Sequence, residues 1–153
     1  MKNLTIIALF IASSTFAAGV QPMTAPDVLT KKNVTTPVAG KTTVITFLSA
    51  KCPCSDNHEP VLKAIYEKFH SKGIEFVGVH SNQDETVEKA VEHFKASAFA
   101  FQVVSDKGAK IADLYNADGT PNVVIIQDGK IVFEGGMDDN SNSAKAKAHY
   151  LED

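Results

Sequence analysis

The stretch TTVITFLSAKCPCSDNHEPVLKAIYEKF, residues 42–69, changes character at its middle. Thr42 to Ser49 is a β-branched and aromatic run, the composition of a buried strand. Further on, Val61, Leu62, Ile65, Tyr66 and Phe69 recur at helical spacing, and Gly73 ends the pattern. Between strand and helix lie both cysteines of the chain, Cys52 and Cys54, with Pro53 between them. The reading of this loop decides the rest: two thiols stand where a strand hands over to a helix.

Working outward, IEFVGV (74–79) predicts a second buried strand. Asp84 to Lys95 follows as a helix, with Val87, Ala90, Val91 and Phe94 on one face. Phe101 to Val104 predicts a short strand and Ala109 to Tyr115 a short helix. NVVIIQ (122–127) and KIVFEG (130–135) predict two strands joined by a tight turn at Asp128-Gly129. Ser143 to Leu151 is expected to close the chain as a last short helix. Before the cysteines, Val28 to Val38 reads as a strand or hairpin closed by Ala39-Gly40, and polar residues 19–27 as a flexible lead-in. Strands alternating with helices imply parallel neighbours with right-handed crossovers, and the final hairpin adds an antiparallel pair. The expected fold is an α/β protein, a three-layer α/β/α sandwich on a mixed central sheet, spanning residues 28–153.

The chain has 153 residues, one domain's worth, of which 44% are hydrophobic and 22% charged. Its formal charge of −3 and lack of any Lys/Arg cluster argue against a nucleic-acid partner. Lys2, the apolar run Leu4 to Ile11 and the small residues of ASSTFAAG have the form of a secretory signal peptide over residues 1–18. The apolar run is too short to span a bilayer, and no cysteine lies there to carry a lipid, so no stable membrane anchor is expected. The expected location is periplasmic or secreted.

Export bears on the cysteines. An oxidising compartment permits disulfides, but two cysteines are too few for a disulfide scaffold and a domain of this size needs none. The pair therefore reads as reactive. A thiol at a helix N-terminus feels the positive end of the helix dipole, which favours its thiolate. Residues two apart in a turn lie about 5.5 Å apart, within disulfide range. A bridge over one residue is strained, and strained disulfides are the labile, oxidising ones.

TFLSAKCPCSDNHEPVLKAIYEKF together with GTPNVVIIQDGKIVFEGG resembles the thioredoxin fold. More narrowly it resembles the periplasmic thiol-disulfide oxidoreductases and the redoxin branch. FVGVHSNQDETVEKAVEHF and FQVVSDKGAKIADLYNADGTP match that branch's insertion and the strand after it. The resemblance implies an exported thiol-disulfide oxidoreductase acting on protein or small-thiol disulfides with a redox partner, and needing no cofactor. Cys52, eight residues before Pro60, corresponds to the attacking thiol and Cys54 to the resolving one. Thr120 and Pro121 correspond to the family's cis-proline loop, which lies beside the cysteines and pairs with the substrate backbone.

The chain departs from that pattern in places. One residue, not two, separates the cysteines, Lys51 precedes them, and Trp is absent. The buried acid of thioredoxins, six residues before the first cysteine, is replaced by Thr46. The peroxiredoxin signature is incomplete: Ser49 fits, but Val44 stands where it needs proline, so a thiol peroxidase is the least supported activity. The alternative of another class is a Cu(I) or other metal carrier, because thiolates with imidazole suit soft metals. Its ligands would be Cys52, Cys54, His58 and His80. Against that, His58 reads as a solvated residue of the first helical turn and His80 as a residue with a packing or polar role. His70, His93 and His149 read as solvent-facing. Asp138-Asp139-Asn140 reads as a turn and helix cap.

Overall fold

The computed structural model describes residues 19–151. The expected signal peptide lies outside the described residues. Seven strands and three α-helices follow one another there: β1 Met23–Pro26, β2 Asn33–Thr36, β3 Thr43–Phe47, α1 Pro53–His70, β4 Glu75–His80, α2 Val87–Ser97, β5 Gln102–Ser105, α3 Lys110–Leu114, β6 Asn122–Gln127 and β7 Lys130–Gly135.

The central sheet has five strands in the order β5-β4-β3-β6-β7. β3 pairs with β4 in parallel, Val44 opposite Phe76 and Phe47 opposite Val79. β4 pairs with β5 in parallel, while β6 runs antiparallel to both β3 and β7. β3 is buried at all five positions because both its faces are covered. Ile45, Phe47, Val77, Val79, Val124 and Ile126 pack on one side with Ile111, Ala112 and Tyr115 from and beside α3. Val44, Leu48, Val103 and Val123 pack on the other with Leu62 and Ile65 of α1 and Ala90 and Phe94 of α2. That is the expected α/β/α sandwich on a mixed sheet.

Local chemistry sets the joints. Asp128 and Gly129 both have positive φ, 51° and 72°, the twist of the hairpin turn that Asp-Gly favours. Thr86 caps α2 by accepting from the Lys89 N–H at 3.3 Å. Pro60 lies inside α1, which starts earlier, at Pro53, where a missing N–H costs nothing.

Two expectations are corrected. Residues 19–27 are not a flexible lead-in: Met23–Pro26 pairs with Asn33–Thr36 as a hairpin, Ala25 and Asp27 are buried, and Asp27 bridges to Val104 at the β5 edge. The strand is four residues long and ends in proline, too short for a periodic signal. Ser143 to Leu151 forms no α-helix, only a single 3-10 turn at Ser143–Lys145. The opposite margin of the sheet is β7, whose Ile131 and Val132 are exposed. Among the described residues no helix is long and apolar enough to cross a membrane.

Candidate active site

β3 ends at Phe47 and α1 begins at Pro53, so the loop between them sits at the carboxyl end of the central strand. Cys52 is the N-cap residue of α1, extended at φ −82° and ψ 117°, and Cys54 lies in the first turn. Both are free and half-buried.

The two thiols are not equivalent. Burial pushes the Cys52 thiol up, but the Ser55 N–H, the Thr120 side chain and the N–H and thiol of Cys54 outweigh it, leaving Cys52 below the ordinary thiol value. Cys54 is raised by its hydrogen bond to Cys52, by burial and by repulsion from the Cys52 thiolate. The order follows from position. Cys52 faces the free N–H groups of the helix start, whereas Cys54 keeps its proton and donates it in a hydrogen bond to the Cys52 sulfur.

Thr120 and Pro121 come back to this loop. The Cys52 thiol lies 3.9 Å from the Thr120 carbonyl, toward which it donates. The Thr120–Pro121 peptide bond is cis, as is Thr36–Pro37. A cavity of about 590 Å³ opens on the Cys52 side, lined by Ser49, Lys51, Cys52, Asn82 and Thr120 among others. A second, of about 300 Å³, lies on the Cys54 side between His58, Pro121, Met137 and Asp138.

His58 is buried, not solvated. Its Nδ1 lies 2.6 Å from the Cys54 carbonyl and its Nε2 3.0 Å from Asp138 Oδ2, so both ring nitrogens are engaged. Asp138 belongs to the segment after β7, which docks on the start of α1: Ser143 Oγ donates to the Asn57 carbonyl at 2.7 Å. The Asp-Asp-Asn cluster does make turns, with the Asn140 N–H bonded to Asp138 Oδ1. Its second use, pairing with His58, had no signal in the sequence because the partners lie far apart along the chain.

His80 is buried and takes the polar role expected of it: its Nε2 lies 3.0 Å from Glu85 Oε2. Glu85 was not a candidate from sequence. It precedes the helix cap Thr86 and reads there as one more acid at a helix start. Its carboxylate instead turns inward and accepts from Ser49 Oγ at 2.7 Å and the Ala50 N–H at 3.2 Å. Beside it, Asp84 pairs with Lys51 at the surface.

Cys52, Cys54, His58 and His80 do not converge on one point. Among the described residues, one group of three ligand-bearing side chains has its donor atoms within 4.8 Å of one another: Asp56, Glu59 and His93. His93 is thereby not solvent-facing. Its Nε2 bonds Glu59 Oε1 at 2.8 Å, and Ser97 Oγ donates to the same oxygen at 2.8 Å. His70 stacks on Tyr66, centroids 4.8 Å apart.

Comparison with known proteins agrees with this fold. A thiol-disulfide oxidoreductase, ResA, of Bacillus cereus is 32% identical over 95 residues, 61% of this chain and 53% of that protein. The chain thus spans about half the length of the curated relatives it matches. An uncharacterized conserved protein of Geobacillus kaustophilus superposes with a TM-score of 0.72 at 23% identity, covering 80% of this chain and 69% of that one. StoA of Bacillus subtilis superposes with a TM-score of 0.66 at 21% identity, covering 78% and 92%. The model of the redoxin family matches residues 4–150. That match spans nearly the whole chain, and the chain belongs to the redoxin family.

Proposed function

We propose that the protein is an exported thiol-disulfide oxidoreductase that works through Cys52 and Cys54. One observation carries this reading: within a Cys-Pro-Cys pair, the thiol that borders the larger cavity is the one held below its ordinary value, and its neighbour is held above. The Cys52 thiolate attacks one sulfur of a substrate disulfide. That S–S bond breaks, one substrate sulfur leaves as thiolate, and a mixed disulfide with Cys52 forms. Cys54 then loses its proton and attacks the Cys52 sulfur. The second substrate sulfur leaves, and the protein ends as the Cys52–Cys54 disulfide. Two electrons have passed to the substrate, and a dithiol partner must return them. Run backwards, the same steps oxidise a dithiol.

Thr120 supports the reading from the other side. Its carbonyl, 3.9 Å from Cys52 Sγ, lies where an extended substrate segment would run past the sulfur. The test is trapping. Cys54→Ser should accumulate mixed disulfides with a peptide disulfide, and Cys52→Ser should accumulate none. Equal trapping by both variants, or trapping by Cys52→Ser alone, would overturn the assignment. Mass spectrometry of the exported form should find an N-terminus near Ala17 to Gly19.

A further inference from the structure

The loop that carries Cys52 rests on a buried charge. The Glu85 side chain is 2% exposed. One of its oxygens, Oε1, lies 2.7 Å from Ser49 Oγ. The other, Oε2, lies 3.2 Å from the Ala50 N–H and 3.0 Å from His80 Nε2. A carboxylate only accepts, so all three groups donate to it. Ser49 has one hydroxyl hydrogen, and it points at Glu85. The Ser49 lone pairs are then directed the other way, and there they accept from the N–H of Cys52 at 3.2 Å and of Lys51 at 3.3 Å. The Ser49 N–H donates to Ser55 Oγ at 3.1 Å, tying in the residue whose own N–H lowers Cys52.

We propose that Glu85 is a positioning residue for Cys52, acting through the Ser49 hydroxyl to hold the loop that presents the attacking sulfur. The proposal rests on the reading of Cys52 as the attacking thiol. Hydrogen bonds to an ionised acceptor are shorter and stronger than neutral ones, and the direction of the hydroxyl is fixed by the charge. Glu85 is itself anchored. The next residue, Thr86, caps α2, and His80 is held edge-on against Phe94 at 5.4 Å. The other charged groups at the Cys52 cavity are Asp113, Asp118 and Lys51, and Lys51 is exposed and paired with Asp84. Among the described residues, Glu85 is the charged group bonded to the Ser49 hydroxyl. An amide in its place has one acceptor oxygen and a donor nitrogen, and cannot accept from Ser49, Ala50 and His80 together.

The experiment follows the alkylation of Cys52 by iodoacetamide across pH, resolved by mass spectrometry, in the full reduced chain. Wild type is compared with Glu85→Gln, Ser49→Ala and the double variant. Each single variant should alkylate about tenfold more slowly at neutral pH, with its midpoint moved up, as the thiolate fraction falls. The double variant should be no slower than the slower single one, because both changes break one chain of bonds. An unchanged profile in either single variant, or effects that multiply in the double one, overturns the proposal. Should Glu85→Gln lose its fold by circular dichroism, Ser49→Ala decides alone: a raised midpoint supports the chain of bonds and an unchanged one overturns it. Alkylation involves no substrate disulfide. Failure of wild type to exchange with disulfides would therefore sink the oxidoreductase reading and leave this result standing.

Discussion

His58 Nε2 lies 3.0 Å from Asp138 Oδ2, and the two side chains are 4% and 3% exposed. With its other nitrogen on the Cys54 carbonyl, the ring joins the segment after β7 to the first turn of α1. Removing one partner of a buried pair strands the other without water or its hydrogen-bond partner. Asp138→Ala and His58→Ala should each lower stability by about 3–5 kcal/mol. The double variant should lose less than their sum. Urea unfolding of the four proteins checks this, and additive losses would show that the two groups do not interact.

The thiols should separate in pH. Cys52, held below the ordinary value, should alkylate first, and its rate should level off at lower pH than that of Cys54. The sign for stability follows. The folded reduced protein favours the Cys52 thiolate, so it gains stability relative to Cys52→Ala as pH rises towards the ordinary thiol value, and loses it as pH falls through the folded value. Cys54 works the opposite way. Its contribution is present below the ordinary value and is lost as pH rises through its raised one. Urea midpoints against pH for the reduced single variants measure both slopes.

Gly78 in β4 has no room for a side chain. A Cβ there would meet Val103 Cγ2 at 3.0 Å and Leu48 Cδ1 at 3.1 Å. Gly78→Ala should cost about 1–3 kcal/mol through overpacking between β4 and its neighbours. A thermal melt that shows no loss would mean that Leu48 and Val103 give way freely.

The metal-carrier alternative has its own measurement. Both nitrogens of His58 are already bonded and the Nε2 of His80 is turned to Glu85, so a soft metal would rest chiefly on the two sulfurs. Reduced protein prepared anaerobically should carry neither copper nor zinc in stoichiometric amount. In a Cu(I) titration, His58→Ala and His80→Ala should match wild type. Stoichiometric metal lost on either substitution would restore the alternative.

Sequence pattern reached as far as local signals do. The β3 and β4 runs are short, β-branched and bounded, and the α2 stripe repeats cleanly, so the sandwich could be read from them. The thiols could be placed because they mark a strand end, whereas Thr120-Pro121 was placed beside them by the resemblance to the thioredoxin fold. What could not be read were pairings made across the fold. Asp138 looks like a turn residue and Glu85 like a helix-start acid until β4 and β7 bring them under the cysteine loop. His58 was misjudged for the same reason. A first-turn histidine is exposed by default, and only the docking of residues 137–143 buries it. The four-residue β1 lies below the length at which alternation is visible.

The sheet's two margins have different fates. At β5, the bridge from Asp27 and the hairpin beyond it occupy the outer groups of the strand. At β7 nothing in the described chain does so, and Ile131 and Val132 stand out beside an open ladder. An open, partly apolar strand is a template for joining a second molecule edge to edge. Lys130 and Glu134, both exposed, are the charges positioned to discourage it. How concentrated the protein can become without associating therefore depends on a strand that has no part in the chemistry, and charge-neutral substitutions at these two positions should show up in light scattering before they show up in activity.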